Sequence, residues 1–431
     1  MKKVLLISYF FPPCNLTASE RVYSWAKHLN ASGYYPIVIT RRWDHQIKSL
    51  EDVSIATPTD IIHQKNDSFE MYQLPYIPNT KDKIYSKYGN KKMVLLRRTL
   101  SLIEIVLQRY INSFIPYNNI GQFADELISK NNDIKNVIIS GNPYILFKYG
   151  YQLQKKYNVK WIADYRDAWT TSEIDLIERG FLFKWIRDND KHLEKKWVGT
   201  ASAITSVSEP LLNEISSFVG VKGKWISNGF ETGEFDKFLN MPTFNDFTIT
   251  YVGTLYHGQQ IEFFCEAFIK LINNMDGIKV KLLFPGLAFH QEQHQRINNC
   301  MQGYEQYFEC TERTEKEKIL EIEARSHLLL YPAWKGFKGI IASKIYEYIS
   351  SGTHTLVAPS DNGEVEKIII ESGCGTCTNT VDETYNFLVT AYKKYEQGIK
   401  LQADLRGDKA LFFSRKHQAK RLAELLDAIN K

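Results

Sequence analysis

The stretch SHLLLYPAWKGFKGIIASKIYEYISSGTHTLVAPS, residues 326–360, contains two short apolar runs on either side of a helical pattern. Its first seven and last seven residues have the length and composition of buried strands. Between them, Ile345, Tyr348 and Ile349 fall on one face of a helix that Gly352 terminates. A strand, a helix and a second strand in this order predict a parallel β-α-β unit.

The same alternation of apolar run and helical pattern occurs throughout the chain. The predicted strands are 4–8, 35–40, 136–141, 160–165 and 201–208 in the first half, and 248–253, 279–286, 326–332 and 354–360 in the second. Two successive series predict an α/β fold of two facing Rossmann-like, doubly wound domains with a cleft between them. The polar segment 231–246 is the expected connection. The predicted boundaries are 1–228, 229–405 and 406–431, the last being a C-terminal helix that packs back on the first domain.

Composition and charge exclude several classes of protein. The 431 residues are 44% hydrophobic and 24% charged with a net charge of +5, as in folded soluble proteins. No uncharged stretch reaches the ~20 residues that span a bilayer, and the opening lacks a secretion-signal pattern. Six scattered cysteines form no disulfide framework, and the single pair Cys374 and Cys377 is too few for a zinc site. We expect a cytoplasmic protein that requires neither a metal nor a cofactor.

The helix at 343–352 carries charged residues where a ligand would explain them. Ser343 is the predicted N-cap, and Lys344 follows at the positive end of the helix dipole, where a cation is unfavourable by itself. A negatively charged ligand outside the helix would make this lysine favourable. Glu347, one turn later, is suited to accept hydrogen bonds from sugar hydroxyls. The plainer alternative is a surface lysine with a locally paired, buried glutamate.

Polar residues and glycines also follow the predicted strands, and parallel sheets bind ligands beyond the carboxyl ends of their strands. The candidates at such ends are Pro12, Pro13, Gly141, Arg166, Asp167, Gly253, Gly286 and the residues from Pro332 onward, and Asn228 suits a turn where the second domain opens. Arg166 suits a phosphate and Asp167 suits hydroxyl groups, although a structural ion pair capping the next helix would look the same. For Asn228, a plain turn is an equally good interpretation.

Several motifs together resemble the GT-B glycosyltransferases, specifically glycosyltransferase family four and its branch with a Ser-Lys helix start and a single glutamate. They are the opening KVLLISYFFPPCNLTASERVYSWAKHL, ADYRDAW (163–169), ITSVSEPL (204–211), WISNGFE (225–231), YVGTLYHG (251–258), SKIYEYISSG (343–352) and FFSRKHQAKRLAELL (412–426). Each motif is weak alone, but they match in order and spacing over essentially the whole chain.

The resemblance implies a retaining transfer of a hexosyl group from a nucleotide diphosphate sugar, by family habit a UDP-sugar, to an acceptor hydroxyl. Ser343 and Lys344 would face the donor pyrophosphate and Glu347 the donor ribose. The implied site residues are Lys344, Arg166 and Asp167 for catalysis, Gly253, Thr254, His257, Gly286 and Asn228 on the donor side, and Pro13, Thr17, Ser19, Gly141 and Asn142 on the acceptor side. Retaining enzymes of this fold need no obvious carboxylate nucleophile, so Asp167 is a contact residue.

The sequence departs from the family pattern at two places. The first glutamate of the E-x7-E motif is Gly339, and the run YVGTLYHGQQ lacks the usual Arg/Lys pair. Lys344 would then be the principal cation, assisted by His257 or by an arginine of the first domain. These departures leave open a catalytically inert nucleotide-sugar-binding or partner subunit. An epimerase or a phosphorylase of the same fold is a further alternative.

The segment 81–115 is basic and amphipathic. Residues 81–98 hold seven Lys or Arg against one Asp, and the apolar residues that follow are interspersed with basic ones. This pattern favours contact with an anionic membrane at its inner face, which would suit a lipid-linked acceptor of surface polysaccharide or glycolipid assembly. The alternative is a solvated helix packed on its own domain. Nucleic-acid binding is not expected, because no stripe of base-stacking aromatics accompanies the basic segment.

Overall fold

The computed structural model describes residues 1–44, 46–47, 52–89, 92–171, 181–238, 240–334, 336, 340–401 and 407–431, with only the backbone for 181–183. The chain divides into two compact units. Unit 1 comprises Met1–Ser227 and Ala419–Lys431, and unit 2 comprises Asn228–Gln418.

Strands and helices alternate in both units. The strands are β1 (Lys2–Ser8), β2 (Tyr34–Arg41), β3 (Ile62–Lys65), β4 (Glu70–Leu74), β5 (Asn136–Ser140), β6 (Lys160–Tyr165), β7 (Ala203–Ser206), β8 (Gly223–Trp225), β9 (Phe247–Thr250), β10 (Val280–Phe284), β11 (Phe308–Cys310), β12 (Leu328–Tyr331), β13 (Thr355–Val357) and β14 (Gly375–Cys377). The helices are α1 (Glu20–His28), α2 (Thr80–Tyr88), α3 (Val94–Leu107), α4 (Asn118–Lys130), α5 (Phe147–Tyr157), α6 (Phe181–Val198), α7 (Glu209–Val219), α8 (Ile261–Asn273), α9 (Gln291–Cys300), α10 (Lys316–Arg325), α11 (Lys344–Ser351), α12 (Glu364–Ser372), α13 (Val381–Glu396), α14 (Asp408–Leu411) and α15 (Arg415–Asn430).

The sheet of unit 1 has the order β3-β4-β2-β1-β5-β6-β7-β8. Its pairings are parallel except for β3, which runs antiparallel to β4. Strand β1 pairs with β2 on one side and with β5 on the other, so that Val4 lies between Pro36 and Asn136. The apolar run of β1 is buried on both faces, as a central parallel strand requires. The direction of winding reverses at β1 and β5, which makes the carboxyl ends of these two strands the switch point of unit 1.

The sheet of unit 2 is parallel throughout, with the order β11-β10-β9-β12-β13-β14. This is the order of the doubly wound six-stranded sheet, and its switch point lies between β9 and β12. Helix α8 buries Ile261, Phe264 and Phe268 on one face. Both sheets confirm the prediction of two doubly wound domains.

The end of the chain returns to unit 1. Ala419, Leu422 and Leu426 of α15 pack into the same core cluster as Leu6 and Trp25, which confirms the predicted packing of the C-terminal helix. The segment that returns to unit 1 begins after residue 406, which was the predicted boundary. The Phe230 N–H donates to the Phe413 carbonyl at 3.2 Å and the Arg415 N–H to the Phe230 carbonyl at 2.8 Å, so that 408–414 belong to unit 2.

The segment 231–246, which the sequence predicted as a polar connection, contains two buried aromatic side chains. Phe235 and Phe238 are buried against Leu320 and Ala324 of α10. These two aromatic side chains fix the start of unit 2 on its own helix, because they gain burial there that a solvated connection would not give.

Candidate functional site

The switch point of unit 2 brings together the loop after β9 and the start of α11. Lys344 Nζ donates to the Val252 carbonyl at 2.6 Å and to Tyr251 Oη at 2.9 Å. The Val252 N–H in turn donates to Tyr348 Oη at 2.8 Å. Helix α11 is therefore fastened to this loop by three hydrogen bonds. The ammonium of Lys344 lies at the carboxyl end of β9, where a doubly wound sheet binds its ligand.

The backbone conformation at position 253 favours glycine. Gly253 has φ +97°, a conformation that side chains with a Cβ rarely adopt, and a Cβ there would lie 2.9 Å from Lys344 Nζ. The backbone of this loop thus approaches the lysine closely. The next residue, Thr254, accepts a hydrogen bond from Tyr251 Oη through its carbonyl at 2.7 Å.

Ser343 occupies the N-cap position of α11 without acting as the predicted side-chain cap. Its hydroxyl makes no capping hydrogen bond, and the residue is exposed. The N–H groups of Ile345 and Tyr346 are bonded to the carbonyls of Ala342 and Ser343. Among the described residues, no acceptor takes the N–H of Ser343 or of Lys344. These two N–H groups at the positive end of the helix remain available to an anion.

Charge at this site is set by burial. Burial lowers the pKa of Lys344 to about 7, although the nearby Glu323 and Glu347 carboxyls oppose that change. Burial also raises the pKa of Glu347. An anion placed beside Lys344 would favour its charged form and reverse the effect of burial.

Glu323 of α10 belongs to this cluster and was not identified from the sequence. It is fully buried, and neither carboxylate oxygen accepts a hydrogen bond from a donor among the described residues. Burial and the neighbouring Glu347 carboxyl raise its pKa well above the usual range. The two carboxyl groups can share one proton, which is the usual outcome for carboxyl groups packed together. The local signal was a glutamate between Leu320 and Ala324 on the buried face of α10.

We expect Glu323→Gln to become more stable, relative to the wild type, as the pH rises from 5 to 8. The pKa of Glu323 is raised in the folded state above its ordinary value of 4.5. Above pH 4.5 the glutamate therefore takes up a proton when the chain folds. Its contribution to the free energy of unfolding therefore falls as the pH rises. Glutamine has no such titration. Urea unfolding of both proteins at pH 5 and pH 8, followed by circular dichroism, measures the difference.

Glu321 provides the matched control on the same helix. Hydrogen bonds from Lys318 and Arg325 lower the pKa of Glu321, so that it stays charged throughout this pH range. The difference in stability between Glu321→Gln and the wild type should not change from pH 5 to pH 8. If the difference in stability between Glu323→Gln and the wild type were also the same at pH 5 and at pH 8, the Glu323–Glu347 pair would not hold a proton in the folded protein.

The other predicted donor-side residues are less closely connected to Lys344. Gly286 follows β10 with φ +83°, and its N–H donates to Thr311 Oγ1 at 3.2 Å. His257 is exposed and its Nε2 lies 3.3 Å from Glu292 Oε1, so the contact that the structure describes for it is with α9. Asn228 is the first residue of unit 2 and is itself engaged in an interaction. Gly339 lies outside the described residues.

The switch point of unit 1 carries the predicted acceptor-side residues. Pro13 and Thr17 are exposed in the loop after β1, and Asn142 is exposed after β5. Gly141 is buried, and its N–H donates to the Asp164 carbonyl at 2.9 Å. Ser19 is also buried, with its hydroxyl directed to the Cys14 and Leu16 carbonyls at 2.9 and 2.8 Å. Its hydroxyl hydrogen is thus used within the loop, contrary to the prediction that it faces a ligand.

The charged residues of ADYRDAW separate into two kinds. Asp164 is fully buried and forms an ion pair with Arg21 of α1 at 2.9 Å. It also accepts hydrogen bonds from Ser140 and Thr205, both at 2.8 Å. This is the structural ion pair that the sequence left open, but it involves Asp164 and not its neighbours.

Arg166 and Asp167 remain at the surface end of β6. Arg166 is half-buried and Asp167 is exposed. Neither side chain forms a hydrogen bond or an ion pair among the described residues. The Asp167 carbonyl accepts from Tyr144 Oη at 2.8 Å, and the Tyr144 ring stacks on Trp169 with centroids 5.5 Å apart. The two charged side chains are therefore available to a ligand, while aromatic residues hold their backbone.

The described part of the chain contains neither a group of metal-binding side chains nor a membrane-spanning helix. Within it, no three His, Cys, Asp or Glu side chains are grouped to hold a metal ion. None of the described helices is both long and apolar enough to cross a bilayer.

Comparison with known proteins identifies the fold. No protein-family model and no curated protein sequence matches the chain. A glycosyltransferase from Rickettsia africae has a TM-score of 0.59 at 14% identity, covering 100% of this chain and 98% of that one. Anabaena HepE, solved in complex with UDP and glucose, has a TM-score of 0.54 at 11% identity over 99% and 100%. WaaG, a glycosyltransferase involved in lipopolysaccharide biosynthesis, has a TM-score of 0.51 at 13% identity over 98% and 95%. These likenesses show that the chain has the GT-B fold, as the sequence predicted.

Proposed function

We propose that this protein is a retaining glycosyltransferase that moves a hexosyl group from a UDP-sugar to an acceptor hydroxyl. The observation that carries the proposal is the position of Lys344. Its ammonium lies at the switch point of the second sheet, and the helix start that carries this lysine has two N–H groups with no acceptor among the described residues. A fixed cation with N–H dipoles is the arrangement that binds a diphosphate.

The proposed chemistry needs stabilisation of a leaving diphosphate. The bond between the anomeric carbon and the diphosphate oxygen breaks, a bond to the acceptor oxygen forms, and the acceptor proton leaves with the diphosphate. Negative charge on the leaving group therefore increases towards the transition state. Two of the three N–H groups of Lys344 are directed to Val252 and Tyr251, which leaves one for a phosphate oxygen. Interactions that strengthen as charge develops accelerate the reaction.

Glu347 and the exposed charges of unit 1 complete the proposed roles. Glu347 lies one turn after Lys344 in α11 and would accept hydrogen bonds from the donor ribose. Arg166 and Asp167 would contact the sugar or the acceptor, because neither has a partner among the described residues. Thr17 and Asn142 are exposed after β1 and β5 and are the best placed acceptor contacts. Surface polysaccharide or glycolipid assembly in the cytoplasm would suit this reaction, with a saccharide or lipid-linked acceptor.

Thermal unfolding in the presence of UDP, GDP and ADP tests the donor site. A diphosphate at 100 times its dissociation constant should stabilise the protein by about 2.7 kcal/mol. Glu347→Gln should weaken binding of UDP but not of inorganic pyrophosphate, because the glutamate is assigned to the ribose. Hydrolysis or transfer of the sugar from the matching UDP-sugar then tests turnover.

The second candidate is a catalytically inert nucleotide-sugar-binding or partner subunit. Gly339 in place of a glutamate and the missing Arg/Lys pair favour it. Binding of a nucleotide sugar without turnover on a broad set of acceptors would support that function. Transfer to any acceptor would exclude it, and failure of all three diphosphates to bind would overturn the donor site itself.

A further inference from the structure

Helices α2 and α3 form a hairpin whose inner contacts are polar and specific. Glu104 of α3 accepts hydrogen bonds from Asn79 and from Lys81 Nζ, the latter at 3.0 Å. The Arg97 guanidinium lies 4.9 Å from the centre of the Tyr85 ring. One side of α3 is thus fixed to α2, and none of the residues of α3 is buried by the described part of the chain.

The outward side of α3 is apolar and exposed. No residue of Val94–Leu107 is buried, and Leu95 is 81% exposed. Leu95, Arg98, Thr99 and Ile103 have the spacing of one helix face, here called the α3 face, and all four are exposed. A lone exposed leucine would need no explanation, but a row of this kind does.

Exposed apolar side chains are concentrated around this hairpin. Nine of the seventeen large hydrophobic residues that are exposed in the described chain lie between positions 77 and 114. They are Ile77, Tyr88, Met93, Leu95, Leu96, Ile103, Tyr110, Ile111 and Phe114. A soluble surface normally scatters such residues, so their concentration marks an interaction surface.

The charges around the α3 face that have no partner of opposite sign in the hairpin are positive. The sequence from 77 to 114 contains eight Lys or Arg and two acidic residues, Asp82 and Glu104. Both acids are already engaged, Asp82 with Tyr76 Oη at 2.6 Å and Glu104 with Lys81. Exposed positive charge is left on Lys83, Lys87, Lys92 and Arg98. The surface therefore presents cations without competing carboxylates.

A tryptophan on the neighbouring helix extends this surface. Tyr110 Oη donates to Asn189 Oδ1 at 2.8 Å, and Arg109 pairs with Asp190, so that α6 is fixed beside the end of α3. Trp185 lies one turn before Asn189 on α6 and is 47% exposed. Tryptophan is the side chain enriched at the boundary between lipid and water.

We propose that the α3 face docks this protein on the surface of an anionic lipid bilayer, with Leu95 and Ile103 inserted among the lipids. Lys83, Lys92 and Arg98 contact the headgroups, and Trp185 anchors the adjacent helix at the interface. A protein partner of ordinary composition would not match the four exposed basic residues, which have no free acid of the hairpin beside them, whereas an anionic bilayer supplies both apolar chains and negative charge. The proposal concerns the location of the protein and does not depend on its transferring a sugar.

Flotation of the full chain with lipid vesicles tests this docking. The wild type should bind vesicles of phosphatidylcholine with phosphatidylglycerol, and bind those of phosphatidylcholine alone at least ~tenfold more weakly. The double variant Leu95→Ser with Ile103→Ser should lose at least ~tenfold in partitioning to the anionic vesicles, because about two buried apolar side chains are removed. Lys92→Glu with Arg98→Glu should lose a similar factor, and added salt should weaken the wild type.

The vesicle experiment has a matched control and two outcomes that would contradict the proposed docking. Ile370→Ser removes an isoleucine of α12 that is 57% exposed and should leave vesicle binding unchanged. Equal binding by the wild type and both α3-face variants would overturn the proposal. So would a wild type that ignores anionic vesicles but forms a dimer that the Leu95 and Ile103 changes dissociate, since the face would then join two copies of the chain. Each variant should fold, because the changed side chains are at the surface, and circular dichroism checks that it does.

Discussion

Replacing Lys344 by methionine should weaken the binding of a nucleoside diphosphate by roughly 10–150-fold, which corresponds to about 1.5–3 kcal/mol for a charge-assisted hydrogen bond. The same change should leave the stability of the unliganded protein equal or higher, because the cost of burying the ammonium outweighs the two hydrogen bonds that it donates to Val252 and Tyr251. Burial lowers the pKa of Lys344 to about 7, so that its charged form is unfavourable there in the absence of an anion. A lysine with only a structural role would give the opposite result, because its loss would reduce stability without a specific effect on binding.

The pH dependence of binding gives a second readout of the same residue. A diphosphate beside Lys344 raises the pKa of the lysine above its unliganded value of about 7, so that binding takes up a proton. The dissociation constant of the wild type should therefore rise with pH above about 7, by up to ~tenfold per pH unit. Lys344→Met should lack this dependence. Isothermal titration calorimetry with UDP at several pH values measures both effects.

Lys148 provides the control for removing a buried lysine. It lies in unit 1, donates to the Gln108 carbonyl at 3.1 Å, and has its pKa lowered by burial to about 8. Lys148→Met should leave the affinity for UDP unchanged. If both variants lost affinity to the same extent, or if Lys344→Met bound UDP normally, the donor site would not be at the start of α11.

Asp164→Asn should destabilise unit 1 by about 3–5 kcal/mol, the cost of leaving one member of a buried ion pair without its partner. Arg21 is only 5% exposed and would keep its charge in the interior. The carboxylate of Asp164 also accepts from Ser140 and Thr205, and these hydroxyls tie β5 and β7 to β6. Asparagine has nearly the same shape, so the effect would come from charge and hydrogen bonding and not from a cavity.

Urea unfolding followed by tryptophan fluorescence measures this loss in unit 1. Seven of the eight tryptophans, all except Trp334, belong to that unit. Asp125→Asn is the matched control, because Asp125 pairs with Lys156 at 2.7 Å on the surface, with the side chains 40% and 58% exposed. Such pairs contribute about 0–1 kcal/mol. If the two variants were destabilised equally, the Arg21–Asp164 pair would not hold the sheet together.

The sequence predicted the interior of both sheets but not their edges. The strands that it predicted, such as β1, β5, β9 and β12, are buried on both faces and therefore read as continuous apolar runs. The strands that it missed are β3, β4, β8, β11 and β14, and all but β4 lie at a sheet edge. Edge strands are short and only partly buried, so a sequence such as Ile62–Lys65 lacks the pattern of a strand.

The candidate site was predictable where its residues are close in sequence. Lys344 and Glu347 belong to one short helix, and their types and spacing already indicated an anion and a set of hydroxyls. Glu323 and Arg21 act through partners that only the folded chain brings near. Arg21 is separated from Asp164 by 143 residues, and no pattern along the chain indicates such a distant pairing.

The buried pair of Arg21 and Asp164 also limits how the sequence can diverge. Losing the arginine alone would leave the Asp164 carboxylate inside the sheet without its counter-charge, and losing the aspartate alone would leave the Arg21 guanidinium without its counter-charge near the Trp25 ring, 4.6 Å away. Either intermediate is strongly destabilised, whereas a joint change to apolar side chains of similar volume is often neutral or stabilising. The two positions can therefore change only as a pair, and descendants of this chain should retain both charges or neither.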